Sequence, residues 1–251
     1  MILLKIGGSV LTDKARASTV RKDKLRMVAR QIADAKRSSL VLVHGAGSFG
    51  HPQAATYLSK GLSASGLWKT HRAVCSLNTK FLNELHSQSV PALPIHPLDS
   101  VALDAGRIVH FDTTALDLML ENNIIPVLHG DIVMDSADGF NILSGDQIIG
   151  FLARRMRPEK IGMGTDVDGI MYKGGKIGHL NASEFEKYRK EIVGSSVIDV
   201  TGGMLRKVSE LLDIAKSGIQ SEIFNATRDG NVAKFLMSHQ EVGTTISMGA
   251  K

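Results

Sequence analysis

Two short apolar runs, each followed directly by a glycine-rich loop, constrain the fold of this chain more than any other feature. The first run, residues 2–6, leads into the Gly-Gly-Ser sequence of residues 7–9. The second, residues 40–43, leads into residues 44–51, which are His-Gly-Ala-Gly-Ser-Phe-Gly-His. Glycine permits sharp turns and a close approach of backbone to ligand, because no Cβ stands in the way. Backbone N–H groups in such loops converge on anions, so the pattern predicts a phosphate site at the ends of two buried strands.

Strand-like and helical patterns alternate along the rest of the chain. Apolar runs typical of strands recur at residues 124–128, 161–163, 222–224 and 244–248. Between the strand-like runs, apolar residues repeat at helical spacing, most clearly within residues 21–37. This alternation predicts an α/β fold with a mainly parallel sheet and helices on both faces. Ligands then bind beyond the carboxyl ends of the strands.

Three segments interrupt the alternation and predict β-hairpins that act as flaps over a site. They turn around residues 104–106, 136–139 and 174–175. At 251 residues the chain is long enough for one large α/β domain or for two lobes. The chain pattern favours a lobe division between residues 155 and 160.

Composition narrows the class of protein. No apolar run approaches the ~20 residues needed to cross a bilayer, so we expect no membrane partner. The net charge of +5 fits either an ordinary basic surface or an attraction for anionic small molecules. Nucleic acid is disfavoured, because aromatic residues make up only 5% and no dense Lys/Arg stripe is present.

The cysteine and histidine content indicates where in the cell the protein is found and whether its side chains bind a metal. Cys75 is the only cysteine, and a core-like strand begins at the N-terminus, so we expect a cytoplasmic protein without a signal peptide. The nine histidines include no His-x-x-x-His pair. We therefore expect no metal that is held by the protein's own side chains.

Charged residues near the glycine loops are candidates for phosphate chemistry. Lys5 lies in a buried strand, where an ammonium group is costly unless it meets an anion or reaches an edge. Lys14 follows the first loop and is either an anion contact or an ordinary surface lysine. His51 closes the second loop and either donates to a phosphoryl oxygen or is a structural histidine.

Three further patterns lie later in the chain. Asp146 opens an apolar helix, where the helix dipole alone explains a carboxylate, or it orients lysines at a reacting group. Residues 165–169 are either a simple turn or a contact to a nucleotide sugar or a hydrated metal ion. Residues 201–204, with Lys207 one turn later, are either a plain helix start or an anion site.

Familiar nucleotide-binding motifs are missing or incomplete. The chain has no Gly-x-x-x-x-Gly-Lys-[Ser/Thr] loop and no protein-kinase set of His-Arg-Asp with Asp-Phe-Gly. Residues 45–50 match the Gly-x-Gly-x-x-Gly spacing of dinucleotide-binding enzymes. They follow the second strand rather than the first, and no convincing acidic ribose partner stands about 20 residues on. A Rossmann-type oxidoreductase is therefore a weak alternative.

Taken in order, these motifs resemble the amino acid kinase superfamily over nearly the whole chain. The matching segments are residues 5–9, 44–47, 144–146, 165–169 and 201–204 with Lys207. Within the superfamily, the sequence Gly-Ser-Phe-Gly-His ending at His51, together with Lys14, resembles the isopentenyl phosphate kinases. Fosfomycin-phosphorylating kinases share much of this arrangement. Other open alternatives are kinases for nucleoside monophosphates or amino acids, and a non-catalytic nucleotide-binding module.

The resemblance implies a single amino acid kinase-like domain, residues 1–251, folded as an open αβα sandwich. Residues 1–157 would bind the acceptor and residues 158–251 would bind ATP. The implied reaction is transfer of the ATP γ-phosphoryl group to isopentenyl phosphate, with Mg²⁺ bridging the β- and γ-phosphates. No general base is needed, because the acceptor oxygen is already ionised. The resemblance also implies a homodimer.

The resemblance carries over to individual residues as well. The implied catalytic residues are Lys5, Lys14, His51, Asp146 and Lys207, with Asp146 orienting the lysines. The implied ATP contacts are Lys5, Ile6, Gly7, Gly8, Ser9, Gly47, Asp166, Tyr172, Lys173, Gly203 and Lys207. The implied acceptor contacts are Ala46, His51 and Gly145. Residues 53–85, with Tyr57, Leu62, Trp68 and Phe81, either form the wall around an apolar tail or are ordinary helix packing in the core.

Overall fold

A central sheet of eight strands organises the computed structural model, which describes residues 1–50, 63–192, 202–238 and 241–249. Numbered along the chain, its strands lie in the spatial order β12 (His179–Leu180), β14 (Thr244–Ile246), β13 (Gln220–Asn225), β9 (Lys160–Thr165), β1 (Ile2–Ile6), β2 (Leu40–His44), β6 (Ile125–His129) and β3 (Ala92–Pro94). Every pairing is parallel except that of β13 with β14. The predicted mainly parallel α/β sheet is confirmed.

Helices cover both faces of this sheet. They are α1 (Gly8–Leu11), α2 (Lys22–Ala35), α3 (Ala64–Ser87), α4 (Pro97–Ser100), α5 (Thr114–Glu121), α6 (Gly145–Met156), α7 (Ala182–Ile192), α8 (Gly202–Ala215) and α9 (Asn231–Met237). Residues 47–50 are also helical. No helix in the described ranges is both long and apolar enough to cross a membrane.

Strand β1 shows why the central strands are continuous apolar runs. All five of its residues are buried, because helices pack on both sides. Successive side chains point to opposite faces, so Leu3 joins one core cluster while Ile2, Leu4 and Ile6 join the other. Lys5 shares the face of Leu3 and sits near the carboxyl end of the strand.

The three predicted hairpins are present. They pair β4 (Val101–Asp104) with β5 (Arg107–Phe111), β7 (Asp131–Asp135) with β8 (Gly139–Leu143), and β10 (Met171–Tyr172) with β11 (Gly175–Lys176). The first two join as a four-stranded sheet in the order β5-β4-β7-β8. The Asp135 carboxylate fastens them together by accepting hydrogen bonds from Ala105 N at 3.0 Å and Gly106 N at 2.7 Å.

All six predicted strands of the central sheet are present, with ends that differ by one or two residues. Two short strands, β3 and β12, were not predicted, because two or three residues carry too little periodicity to recognise. The predicted lobe boundary falls between α6 and β9. Since β9 pairs directly with β1, one sheet continues across that boundary, and the division into two lobes stays a prediction.

Candidate active site

The two glycine loops touch each other backbone to backbone. A Cβ on Gly8 would lie 2.4 Å from Gly47 N, and a Cβ on Gly45 would lie 2.6 Å from Gly8 N. Gly47 also has φ +52°, a left-handed conformation that favours glycine. Thr12 ties the loops together: its hydroxyl donates to Gly8 O at 2.7 Å and accepts from Ser48 N at 3.0 Å. Glycine is therefore required here for close packing of two loops.

A cleft of about 610 Å³ opens beyond the carboxyl ends of β1, β2, β6 and β9. Parallel strands bring the loops that follow them to the same edge of the sheet, which explains this position. The cleft is lined by many of the residues singled out in the sequence: Lys5, Gly7, Gly8, Ser9, Lys14, Ala46, Gly47, Gly145, Asp146, Asp166 and Lys207. The tertiary structure thus assembles candidates that are up to about 200 positions apart in the chain.

An ion-paired triad lies within the cleft. The Asp146 carboxylate, in the first turn of α6, accepts from Lys5 Nζ at 2.6 Å. It also accepts from Lys207 Nζ of α8, at 3.1 Å to one oxygen and 3.2 Å to the other. The lysines that pair with Asp146 are therefore Lys5 and Lys207. Ser144 is the N-cap of α6 and forms a capping box with Gln147, which fixes where the helix and Asp146 begin.

Burial dominates the electrostatics of this triad. It lowers the pKa of Lys5 to about 8, because a buried ammonium loses its hydration, and Lys207 adds repulsion while Asp146 opposes the shift. Burial alone would raise the pKa of Asp146, but the two lysines hold it below its usual range. The triad carries one net positive charge in a partly dehydrated site, which favours an anionic ligand.

Lys14 belongs to a second, more exposed ion pair. Its Nζ donates to Asp166 Oδ2 at 2.9 Å, and the Lys14 side chain is 71% exposed. Asp166 follows β9, and its pKa is lowered despite burial because Lys14 and Ser9 donate hydrogen bonds to it. An exposed pair of this kind contributes about 0–1 kcal/mol, so Lys14 can exchange partners at little cost.

Some predicted site residues lie elsewhere in the structure. Ile6 is fully buried, and its carbonyl accepts from Gly45 N at 3.0 Å. Tyr172 packs on Tyr188 with ring centroids 4.8 Å apart, and Lys173 lies over the Tyr172 ring. Neither of these two hairpin residues lines the cleft. Their proximity to a nucleoside stays a prediction.

Three other predictions concern Gly203, His51 at the end of the second glycine loop, and the apolar wall. Gly203 is in the first turn of α8, and its contact to ATP stays a prediction. His51, Tyr57 and Leu62 lie outside the described residues. Trp68 is 58% exposed and Phe81 is buried in the core, so neither forms the wall of the cleft. Phe81 packs inward because it faces the sheet from α3.

The apolar lining of the cleft lies in the predicted wall segment, residues 53–85, and in the second predicted hairpin, but at residues that the sequence analysis did not single out. They are Val74 on α3, Ile132 and Ile142 of the second hairpin, and Leu143. Asp131 also lines the cleft, and it follows His129, the last residue of β6, and Gly130. Its carboxylate accepts a hydrogen bond from His71 Nδ1 at 2.8 Å. The signal that could have found Asp131 is its position beyond the carboxyl end of a buried parallel strand, the same signal that marks the glycine loops.

Comparison with known proteins defines the class. The model of the amino acid kinase family matches residues 1–225, which is most of the chain, so the chain belongs to that family. The fold and the cleft at the strand ends agree with this assignment.

Similar proteins give a narrower assignment. The chain is 36% identical to isopentenyl phosphate kinase of Methanothermobacter thermautotrophicus, over 98% of this chain and 99% of that protein. It is also 36% identical to isopentenyl phosphate kinase of Methanocaldococcus jannaschii, over 98% of each. A crystal structure of isopentenyl phosphate kinase superposes with a TM-score of 0.85 at 33% identity, covering 98% of this chain and 100% of that one. Within the amino acid kinase family, these likenesses group the chain with the isopentenyl phosphate kinases.

Proposed function

We propose that this protein transfers the γ-phosphoryl group of ATP to isopentenyl phosphate, forming isopentenyl diphosphate and ADP. The observation that carries the proposal is the Lys5–Asp146–Lys207 triad, which lies in the same cleft as two interlocked glycine loops. Full-length similarity to isopentenyl phosphate kinases supports the choice of acceptor.

The reaction requires two anions to approach end to end. Two unit charges 4 Å apart repel by about 4 kcal/mol at an effective dielectric near 20. Lys5, Lys14 and Lys207, which all line the cleft, offset this repulsion and stabilise charge on the transferring group. The acceptor oxygen is already ionised at neutral pH, so no side chain has to remove a proton.

Each part of the cleft then has a role. Lys5 and Lys14 contact the transferring phosphoryl group, and the backbone N–H groups of Gly8 and Gly47 donate to phosphate oxygens. Lys207 neutralises the ATP phosphates, and Asp146 holds Lys5 and Lys207 in position. The acceptor phosphate binds near Ala46 and Gly145, and His51, which lies outside the described residues, is proposed to donate to it. The apolar wall from Val74, Ile132 and Ile142 is suited to a short hydrocarbon tail.

Mg²⁺ is expected as the cofactor of the nucleotide. The carboxylates of the cleft fit an ion bound mainly through phosphate and water oxygens, because Asp146 and Asp166 are each paired with a lysine. Either carboxylate would hold the ion through water, and the ion would neutralise charge on the phosphates. We also propose that the protein is a cytoplasmic homodimer. Light scattering of the purified chain would test whether it is a dimer.

The choice of acceptor is tested by measuring ADP release with a panel of acceptors. The panel contains isopentenyl phosphate, a phosphonate, a nucleoside monophosphate and an N-acetylated acidic amino acid. We expect kcat/KM for isopentenyl phosphate to exceed the others by at least about 100-fold, since the apolar wall and the acceptor phosphate both contribute. Turnover of another acceptor with no turnover of isopentenyl phosphate would overturn the proposal. ATP binding without transfer to any acceptor would indicate a non-catalytic module.

The ion pair of Lys14 leads to a prediction about turnover. Lys14→Ala is expected to lower kcat by roughly 100-fold, because it removes a charge that acts on the transferring group. KM and thermal stability should change little, since the side chain is exposed and its ion pair is weak. Steady-state kinetics measure kcat and KM, and a melting curve measures thermal stability, with Lys176→Ala as an exposed control. A normal kcat would remove Lys14 from the chemistry.

The pKa of Lys5 predicts a pH dependence. As the pH rises above about 8, the free protein loses the Lys5 proton, and the positive charge that attracts phosphate is lost. We expect kcat/KM to fall about tenfold per pH unit above that point. Asp146→Asn should move the fall to lower pH, because the carboxylate raises the pKa of Lys5. A flat kcat/KM profile between pH 7 and 10 would contradict this reading.

A further inference from the structure

A cluster of one cysteine and three histidines lies beside the cleft wall and takes no part in the proposed reaction. Cys75 and His71 are one turn apart on α3, His129 ends β6, and His96 immediately precedes α4. Cys75 Sγ lies 3.6 Å from His96 Nδ1 and 3.3 Å from His71 Nε2. His96 Nδ1 lies 2.9 Å from His129 Nε2. The donor atoms of Cys75, His96 and His129 all lie within 4.8 Å of one another.

Hydrogen bonds on the far side of two rings orient this cluster. The Gly130 carbonyl accepts from His129 Nδ1 at 3.1 Å, and the Asp131 carboxylate accepts from His71 Nδ1 at 2.8 Å. With Nδ1 carrying the proton, His129 presents its Nε2 lone pair to His96, while the His71 ring lies against the Cys75 thiol. A carbonyl or carboxylate behind the ring is the usual support for a histidine that ligates a metal.

The neighbouring His44 shows the contrast. Its Nδ1 lies 3.1 Å from the Gly45 carbonyl, and its Nε2 lies 3.1 Å from Asn78 Nδ2. Both ring nitrogens therefore have partners within the protein. His44 is held by a carbonyl and an amide, whereas one ring nitrogen each of His96 and His129 lies with Cys75 Sγ in a group whose members are all within 4.8 Å of one another.

The separations match a zinc site. Bond lengths of about 2.3 Å to sulfur and 2.0 Å to nitrogen place tetrahedral ligands roughly 3.5 Å apart for S···N and 3.3 Å apart for N···N. The observed S···N separation of 3.6 Å between Cys75 and His96 agrees, and the N···N separation of 2.9 Å between His96 and His129 needs to open only slightly. One thiolate and two imidazoles form a ligand set suited to Zn²⁺ and not to Mg²⁺ or Ca²⁺.

We propose that Cys75, His96 and His129 bind one Zn²⁺ ion, with a water molecule as the fourth ligand. This departs from the expectation, drawn from sequence spacing, that no metal is held by side chains of the protein. The ion joins α3, the end of β6 and the residue before α4. Thr70 and Val74 of α3 and Asp131 next to β6 line the cleft, so the ion braces the wall of that cleft.

Cobalt substitution tests the site without any measurement of activity. The full chain is treated with a chelator, dialysed and titrated with Co²⁺ in the absence of nucleotide. We expect one Co²⁺ per chain, intense tetrahedral visible bands and a thiolate-to-cobalt charge-transfer band. Because Cys75 is the only cysteine, that charge-transfer band can come from no other residue.

Substitutions then separate this site from adventitious binding. Cys75→Ser should abolish the charge-transfer band, and His96→Gln should weaken Co²⁺ binding at least tenfold. His110→Gln, an exposed histidine on β5, should leave both unchanged. Binding without a thiolate band, or binding of equal strength in the His96 variant, would overturn the proposal.

Thermal melting provides a second readout. Zn²⁺ at about a hundredfold excess over its Kd should raise the Tm of the wild-type chain by roughly 5 °C or more. Cys75→Ser should lose most of that rise, while its Tm without metal shows whether it folds. An equal Zn²⁺-induced rise in both proteins would contradict the assignment.

Discussion

Replacing Lys5 with methionine is expected to lower kcat by roughly 10²–10³-fold, the loss typical of removing one preorganised charge at a developing negative charge. Methionine keeps nearly the length and volume of the lysine stem, so packing at the end of β1 is preserved. Asp146 keeps Lys207 as a partner, and the carboxylate is not left unpaired. The effect should therefore fall on turnover more than on folding.

Steady-state kinetics with isopentenyl phosphate, together with a melting curve, measure the two effects separately. Lys80→Met, an exposed lysine on α3, is the matched control and should behave as wild type. A kcat for Lys5→Met within a few-fold of the wild-type value would mean that the buried ammonium is only a structural partner of Asp146. A melting temperature of Lys5→Met far below that of wild type would mean that the loss of activity comes from an unstable fold.

Gly8→Ala is expected to damage both loops at once. Its Cβ would lie 2.4 Å from Gly47 N and 2.5 Å from Gly47 Cα, so two backbones must move apart. Overpacking of this kind costs about 1–3 kcal/mol of unfolding free energy. A displacement near 1 Å in groups that position phosphate lowers kcat/KM by roughly 100-fold or more.

Gly178→Ala is the matched control for the Gly8 variant. A Cβ on Gly178 meets nothing within 4 Å, and its φ is not in the left-handed range. We expect its stability to stay within about 0.5 kcal/mol of wild type, with unchanged kinetics. Denaturant unfolding and kcat/KM compare the two variants, and equal effects would mean that the contact between the loops is unimportant.

The strands and hairpins were predictable from the sequence, because local patterns encode them. Strands such as β1 and β2 are buried on both faces, so they are continuous apolar runs. Hairpin turns carry glycine where the backbone adopts positive φ, as at Gly106 and Gly174. The sequence predicted the hairpin that contains Tyr172 and Lys173. Its proximity to a nucleoside cannot be predicted from a local sequence pattern and stays a prediction.

The partners of each charged group could not be predicted in the same way. Lys14 pairs with Asp166 across 152 positions, and Lys5 pairs with Asp146 across 141. Nothing in the local spacing of these residues specifies which carboxylate meets which lysine. The same is true of Cys75, His96 and His129, which come from three separate elements.

By itself the sequence determined the α/β class, the order of the strands along the chain and the glycine loops at the strand ends. These follow from residue-by-residue preferences for burial and backbone conformation. Only the tertiary structure decided that Asp146 joins Lys5 to Lys207. It also decided which residues of the hairpin and α3 line the cleft, and that a thiol and two imidazoles converge. Those arrangements depend on how distant elements pack against a shared sheet, and no local preference encodes that packing.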